Sequence, residues 1–374
     1  MYTTAPRAAA PPAAATASPA RIASIDALRG FDMFWITGGD TLALALGKWL
    51  GWSWLIYQME HVEWEGFVFY DLIFPLFMFL VGVVLPYSLS RYEGRPREAH
   101  LRILRRAALL VILGWVNWGV LDFNFAEMRW PGVLQRIGLG YLGAAFAVLY
   151  LGLRGRIVFT VSLLFGYWAI LLLVPRPGGV AGDLTMEGNL VGWLDRTVLP
   201  GTMCCYTHGD NEGILSTIPA IATVMLGVFA GTWLRTSRPP AEKAQGLVIA
   251  GLASLAVGFL WWPLFPVIKN LWTSSYVMLA GGWSLLLLAL FYYVIDVKGY
   301  RAWAFPFIVI GMNAITIYVA QNFIDFDGIA RFFLGGVASL FSAAAGAVVL
   351  AAGAVAVRWL FLRYLYANGT FLRV

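Results

Sequence analysis

The chain has 374 residues, of which 60% are hydrophobic and 12% charged, and its mean hydropathy is +0.74. Soluble domains are about 45–50% apolar and about 25% charged, so this composition excludes an ordinary soluble domain and points to an integral membrane protein. The formal charge of +6 would suit nucleic acid, but the basic residues lie in short loops between apolar runs, a pattern that implies membrane lipid as partner and no nucleic acid.

The first twenty residues, within "MYTTAPRAAAPPAAATASPAR", are Ala/Pro-rich and lack an apolar core. They read as a disordered cytoplasmic tail (1–20) rather than a signal peptide. The remainder, 21–374, reads as one transmembrane domain. A spanning helix needs roughly 20 mostly apolar residues, and ten such segments are expected, at 24–46, 66–89, 107–123, 131–152, 157–174, 214–234, 246–264, 273–295, 304–321 and 334–361. The fold class is therefore an all-α polytopic helix bundle. With the N-terminus inside, 19 of the 26 Lys and Arg fall on the inner face, so both termini are expected in the cytoplasm.

The first span opens with "RIASIDALRGFDMFWITGGD". Asp26, Arg29 and Asp32 are spaced as a ladder of i,i+3 charges near the inner headgroups, while Asp40 follows two glycines at the outer end, within reach of the next loop. That loop leads into "QMEHVEWEGFVFYDLIFPLFMFL", where His61 precedes Asp71 by ten residues. An acid at membrane depth costs about 2.5–3.5 kcal/mol on insertion scales, so Asp71 calls for a partner or a task. Pro75 removes the backbone donor to the Asp71 carbonyl and predicts a bend. If residues 62–66 form a turn, His61 folds back over the helix end, gives one ring nitrogen to an acid and keeps the other as a base.

The inner loop "RYEGRPREAHLRILRR" carries Arg102, Arg105 and Arg106, which suit anionic lipid or a polyanionic cosubstrate. His100 in the same loop reads as solvated or lipid-facing. "RWPGVLQRIGLGYLG" places Gln135 and Arg136 at the start of the fourth span; its G-x-G-x-x-G at Gly138, Gly140 and Gly143 follows no strand, so close helix packing is expected in place of nucleotide binding. The connection from Pro175 to Gly213 is long enough to suggest function. It holds His208, Asp210, Glu212 and the adjacent Cys204 and Cys205, which an oxidising compartment allows as a vicinal disulfide or as free thiols. No zinc-type spacing occurs, so no metal is expected. Lys269 and Asn270 lie at the outer end of the eighth span and Asn313 lies within the ninth. Polar groups converging beside a histidine describe a sugar-sized pocket.

Taken together, "SIDALRGFDMFWITGGD", "HVEWEGFVFYDLIFPLFMFLVGVVLPYSL", "RWPGVLQRIGLGYL", "EGILSTIPAIATVMLGVFAG", "IKNLWTSSYVM" and "GMNAITIYV" run over roughly residues 21 to 320. In this order they resemble the heparan-alpha-glucosaminide N-acetyltransferase family and its bacterial NagX-type relatives. The resemblance implies an enzyme of the bacterial cytoplasmic (inner) membrane that takes acetyl from cytosolic acetyl-CoA and passes it to an amino-sugar acceptor on the periplasmic side. It also implies a homodimer, and His61 as the active-site histidine with Asp71 beside it. The family's lumenal domain ahead of the first span has no counterpart in the Ala/Pro stretch, which favours glucosamine or a small cell-wall amino sugar as acceptor. On this reading His61, Asp71 and Asp40 are catalytic. Arg29, Arg102, Arg105, Arg106, Gln135 and Arg136 serve the acetyl-CoA, and Glu212, Lys269, Asn270 and Asn313 the acceptor. A small-sugar or peptide transporter, or an O-acetyltransferase of a glycan or lipid, remain the alternatives.

Overall fold

A computed structural model describes residues 22–372; the expected tail at 1–20, together with Arg7, Arg21 and Arg373, lies outside the described residues. The helices are α1 (Ala23–Phe34), α2 (Asp40–Leu50), α3 (Ser53–Met59), α4 (Ile73–Leu89), α5 (Pro96–Asn117), α6 (Val133–Tyr150), α7 (Leu153–Leu173) and α8 (Leu190–Val198). A two-stranded hairpin follows, β1 (Cys205–Tyr206) with β2 (Gly209–Asp210). Then come α9 (Thr217–Leu234), α10 (Pro240–Trp261), α11 (Ser274–Phe291), α12 (Phe305–Met312), α13 (Ala314–Ala320), α14 (Phe326–Ala338) and α15 (Ala343–Ala367).

Among the described residues, seven helices are long and apolar enough to cross a membrane, and eight if the bent pair of α12 and α13 counts as one span. The all-α class stands, but the structure redraws several of the ten expected segments. The first, 24–46, is interrupted by a π-helical stretch at Trp35–Gly39, where Thr37 (φ −111°, ψ 37°) and Gly38 (φ 111°) leave helical geometry. Thr37 Oγ1 bonds back to the Met33 carbonyl at 2.8 Å, an arrangement that often accompanies a helix bend. The third, 107–123, begins inside α5 and runs past its end at Asn117, while the earlier turns of α5 carry Arg97, Arg102, Arg105 and Arg106 and so belong at a headgroup boundary. The ninth bends by 60° at Asn313. The last, 334–361, straddles the turn between α14 and α15.

α4 is the central helix, packed against α1, α6, α9 and α11. Its side chains Leu76, Met78, Phe79 and Leu85 are fully buried, as expected for a helix that is apolar all round. Its contact with α9 is a backbone contact. A Cβ at Gly82 would lie on the Val224 carbonyl, and one at Gly227 on the Phe79 carbonyl. Small residues at helix crossings are how membrane helices gain close packing, since lipid tails offer no hydrophobic penalty to escape. The sequence's G-x-G-x-x-G serves the same end, Gly138 facing α5 and Gly143 facing α9.

Because α4 runs away from Asp71 and α5 returns from Pro96, the bundle has two ends. One carries the His61 loop, the β1–β2 hairpin and the Lys269 turn. The other carries Arg91 to Arg106.

Candidate active site

Ahead of α4 the chain makes a single 3-10 turn, Phe69–Leu72. The expected turn at 62–66 is present and rests on Gly66, whose φ of 136° is closed to residues bearing a Cβ and whose α-carbon packs on Val62. Gly66 N–H also donates to the Val267 carbonyl at 2.9 Å, and Glu65 bridges Ile268. One short backbone pairing therefore fixes the His61 loop against the turn that carries Lys269.

His61 does fold back over the helix end, its Nδ1 lying 2.7 Å from Asp71 Oδ1. Lys269 Nζ stands 3.2 Å from the same carboxylate oxygen, 2.9 Å from His61 Nδ1 and 3.2 Å from Nε2. An amine nearly equidistant from both ring nitrogens cannot lie on the in-plane lone-pair axis of either. The arrangement consistent with all of these distances has Nδ1–H donating to Asp71, Lys269 paired with the carboxylate beside the ring, and the Nε2 lone pair open. Asp71 is 1% exposed while the His61 side chain is 49% exposed, so the acid is shielded and the base can be reached.

The backbone around Asp71 is equally well tied. The carbonyl left without a donor by Pro75 accepts the Tyr276 hydroxyl at 2.7 Å, and Asp71 Oδ2 accepts the Val68 N–H at 3.3 Å. Asp40 reaches the site indirectly: its Oδ2 accepts the Tyr70 hydroxyl at 3.0 Å, and the Tyr70 ring lies 4.8 Å from the His61 ring. Asn270 is buried next to Lys269.

Behind this triad lies a buried ionic cluster from the long loop. Arg129 donates through Nε to Asp210 Oδ2 at 2.8 Å and through Nη2 to Oδ1 at 2.5 Å, and it also contacts Glu212. Cys204 N–H and Glu212 N–H complete the Asp210 shell. Burial alone would lower the Arg129 pKa, but the Asp210 bond and the Glu212 charge hold it above its ordinary value. Asp195 has no guanidinium bond, taking only the Ile214 and Asp210 N–H groups, and burial pushes it up to about 6. Burial likewise lowers Lys269, against the opposing charges of Asp71 and Glu212. Arg136 is 1% exposed, lies 4.9 Å over the Trp272 ring, and donates to Gly213 and Ser216. Its Nε and Nη1 have no protein partner, so two donors of a buried guanidinium are spare beside the triad's end of the bundle.

The expected cosubstrate residues separate into groups. Arg29 and Arg106 line one cavity of about 100 Å³ toward the arginine-rich end. Its walls Phe77, Leu134, Ile137, Ala314 and Ile315 continue into a narrower space of about 20 Å³ that also touches Phe74, Val133 and Tyr318. Phe74 in turn packs on Trp272. Asn313 sits at the helix break between residues lining both spaces, with its Nδ2 unpartnered. Arg102 and Arg105 are exposed, and Gln135 and Arg136 belong to the His61 end, Gln135 donating to the Trp130 carbonyl. His100 meets Tyr150 at the arginine-rich end, and His208 offers its carbonyl to Arg196. Cys204 and Cys205 form a disulfide. The residues that sequence reasoning left out are Arg129, Tyr70 and Tyr276, and Asp210 was noted only as part of the long connection. A charged residue in a short loop between helices, as Arg129 is, reads only as topology until its anion, 81 residues on, is known.

No protein-family model matches the chain. Among curated proteins it is similar to heparan-alpha-glucosaminide N-acetyltransferase of Homo sapiens, 29% identical over 82% of this chain and 53% of that protein. The Mus musculus protein of the same name is 28% identical over 72% of this chain and 50% of its own length. The chain thus spans about half the length of the curated relatives it matches. An all-α membrane bundle and matches that run over most of the chain make it similar to the heparan-alpha-glucosaminide N-acetyltransferases.

Proposed function

We propose that this protein is an acetyl-CoA-dependent N-acetyltransferase of amino sugars, with glucosamine or a related amino sugar as acceptor on the periplasmic face of a bacterial inner membrane. The observation that carries the reading is the shielded Asp71 holding His61 Nδ1 at 2.7 Å, which leaves Nε2 as a base at a reachable edge of the bundle. General-base catalysis of this kind contributes roughly 10²–10⁴ in rate.

Acetyl-CoA supplies an activated acetyl thioester. The residues fit such a donor: Arg29 and Arg106 beside one cavity suit an anionic head, Arg106 Nε has no protein partner, and the apolar seam with the spare Asn313 amide suits a long arm carrying amide groups. Within the site His61 Nε2 takes the proton of the attacking amine. The Glu212 carboxylate favours a cationic acceptor, and the spare Arg136 donors suit the oxygen on which negative charge gathers.

The test is acetyl-CoA consumption by the purified protein over a panel of amino sugars, with product analysis for amide against ester. Acetylated amino sugar from wild type, with little from His61→Ala, is the expected result. Sugar uptake into reconstituted vesicles without acetyl-CoA would overturn the reading in favour of a transporter.

A further inference from the structure

Resting on that reading, we propose that Lys269 is the acid of the transfer, donating its proton to the departing sulfur while His61 takes the proton of the attacking amine. When an amide forms from a thioester, nitrogen and sulfur are both substituents of one tetrahedral carbon, so base and acid must stand a few ångströms apart. His61 Nε2 and Lys269 Nζ are 3.2 Å apart, on elements joined by the Gly66–Val267 backbone bond. A thiolate released against the Trp272 and Tyr276 side of the site would be a costly anion without a proton donor.

Asp71 pairs with Lys269 at 3.2 Å, but it shares its oxygens with His61 Nδ1–H and Val68 N–H, and the Asp71 carbonyl receives Tyr276. The charged groups facing Lys269 are Asp71, His61 and, from the loop after β2, Glu212; Tyr276 stands next to Asp71, and Arg136 lies on the Glu212 side. The lysine side chain is 14% exposed, and burial lowers its pKa toward the range in which an ammonium gives up its proton readily.

The step balances. The amine nitrogen bonds to the acetyl carbon and its proton goes to His61 Nε2; the carbon–sulfur bond breaks with its electron pair on sulfur, and Lys269 protonates that sulfur. The imidazolium then gives up its proton to solvent and the neutral lysine amine takes one back from solvent. The net change is amine plus thioester to amide plus thiol, and both side chains end in their starting forms.

The test needs no turnover. The product CoA is bound to wild type, Lys269→Met, Lys269→Arg and His61→Ala, and its thiol is titrated by thiolate ultraviolet absorbance. A cation in contact with the sulfur lowers the thiol pKa by about 1 unit or more. That shift is expected in wild type, Lys269→Arg and His61→Ala and absent in Lys269→Met. An identical thiol titration in wild type and Lys269→Met would overturn the assignment. In turnover, Lys269→Met should also lose the alkaline limb of the kcat/KM profile, which a lysine that only props up Asp71 would leave in place. Wild type that transfers acetyl while Lys269→Met keeps both the limb and the thiol pKa sinks the acid and spares the acetyl-transfer reading. Wild type that transfers no acetyl sinks both.

Discussion

The two ends of the bundle handle charge in opposite ways. At the His61 end every buried carboxylate of the site has fixed donors: Asp71 has His61, Lys269 and Val68, and Asp210 has Arg129, Cys204 and Glu212. At the other end Arg29 and Arg106 border an apolar cavity, and Arg102 and Arg105 face outward. A preorganised end is already desolvated and can act on a reacting group without rearrangement. An end with arginines around a cavity suits the anionic head of the proposed donor.

That contrast breaks most sharply at His61. His61→Ala should cut acetyl transfer by roughly 10²–10⁴ with little loss of stability; near wild-type turnover would refute its role. Asp210→Ala comes next. Removing one partner of a buried ion pair costs about 3–5 kcal/mol, so the thermal midpoint should fall steeply, whereas an unchanged midpoint would mean that Arg129 finds another anion.

Asp195 sharpens the comparison within the preorganised end, since, unlike the buried Asp71, Asp210 and Glu212, it lacks a cation in direct contact. Its folded pKa of about 6 lies above the ordinary aspartate value, so the stability it contributes is complete below about pH 4 and is lost as the pH rises through 6. The change is on the order of 1–3 kcal/mol. Asp195→Asn should flatten the pH dependence of the melting temperature in that window, and a parallel curve for the variant would count against it. At the other end, Arg29→Met with Arg106→Met should raise KM for acetyl-CoA about tenfold at near-constant kcat, the pattern of lost uniform binding. Arg102→Ala should move stability by less than about 0.5 kcal/mol, and a large change in either KM or stability would show that the exposed arginines are not bystanders.

Much of this was legible from the chain, and the reasons are local. His61 and Asp71 are close in sequence, a glycine marks the turn between them, and an acid in an apolar run advertises a partner. Lys269 could be named but not placed, because its approach depends on a pairing between Gly66 and Val267 that leaves no trace in hydropathy. Arg129 and Asp210, 81 residues apart, were hidden for the same reason. The first helix read as a single span since Thr37 and Gly38 do not interrupt an apolar window, although they do interrupt the backbone. Asp40 was aimed at His61, and a tyrosine from the next helix entry stands between them.

The glycine contact between α4 and α9 has a consequence for motion. Two helices that meet backbone to backbone cannot slide without collision, so the half of the bundle containing Gly82 and Gly227 behaves as an anvil. Any widening of the seam between the arginine cavity and the site falls to its opposite wall, where the α12–α13 kink already divides one span into two short levers.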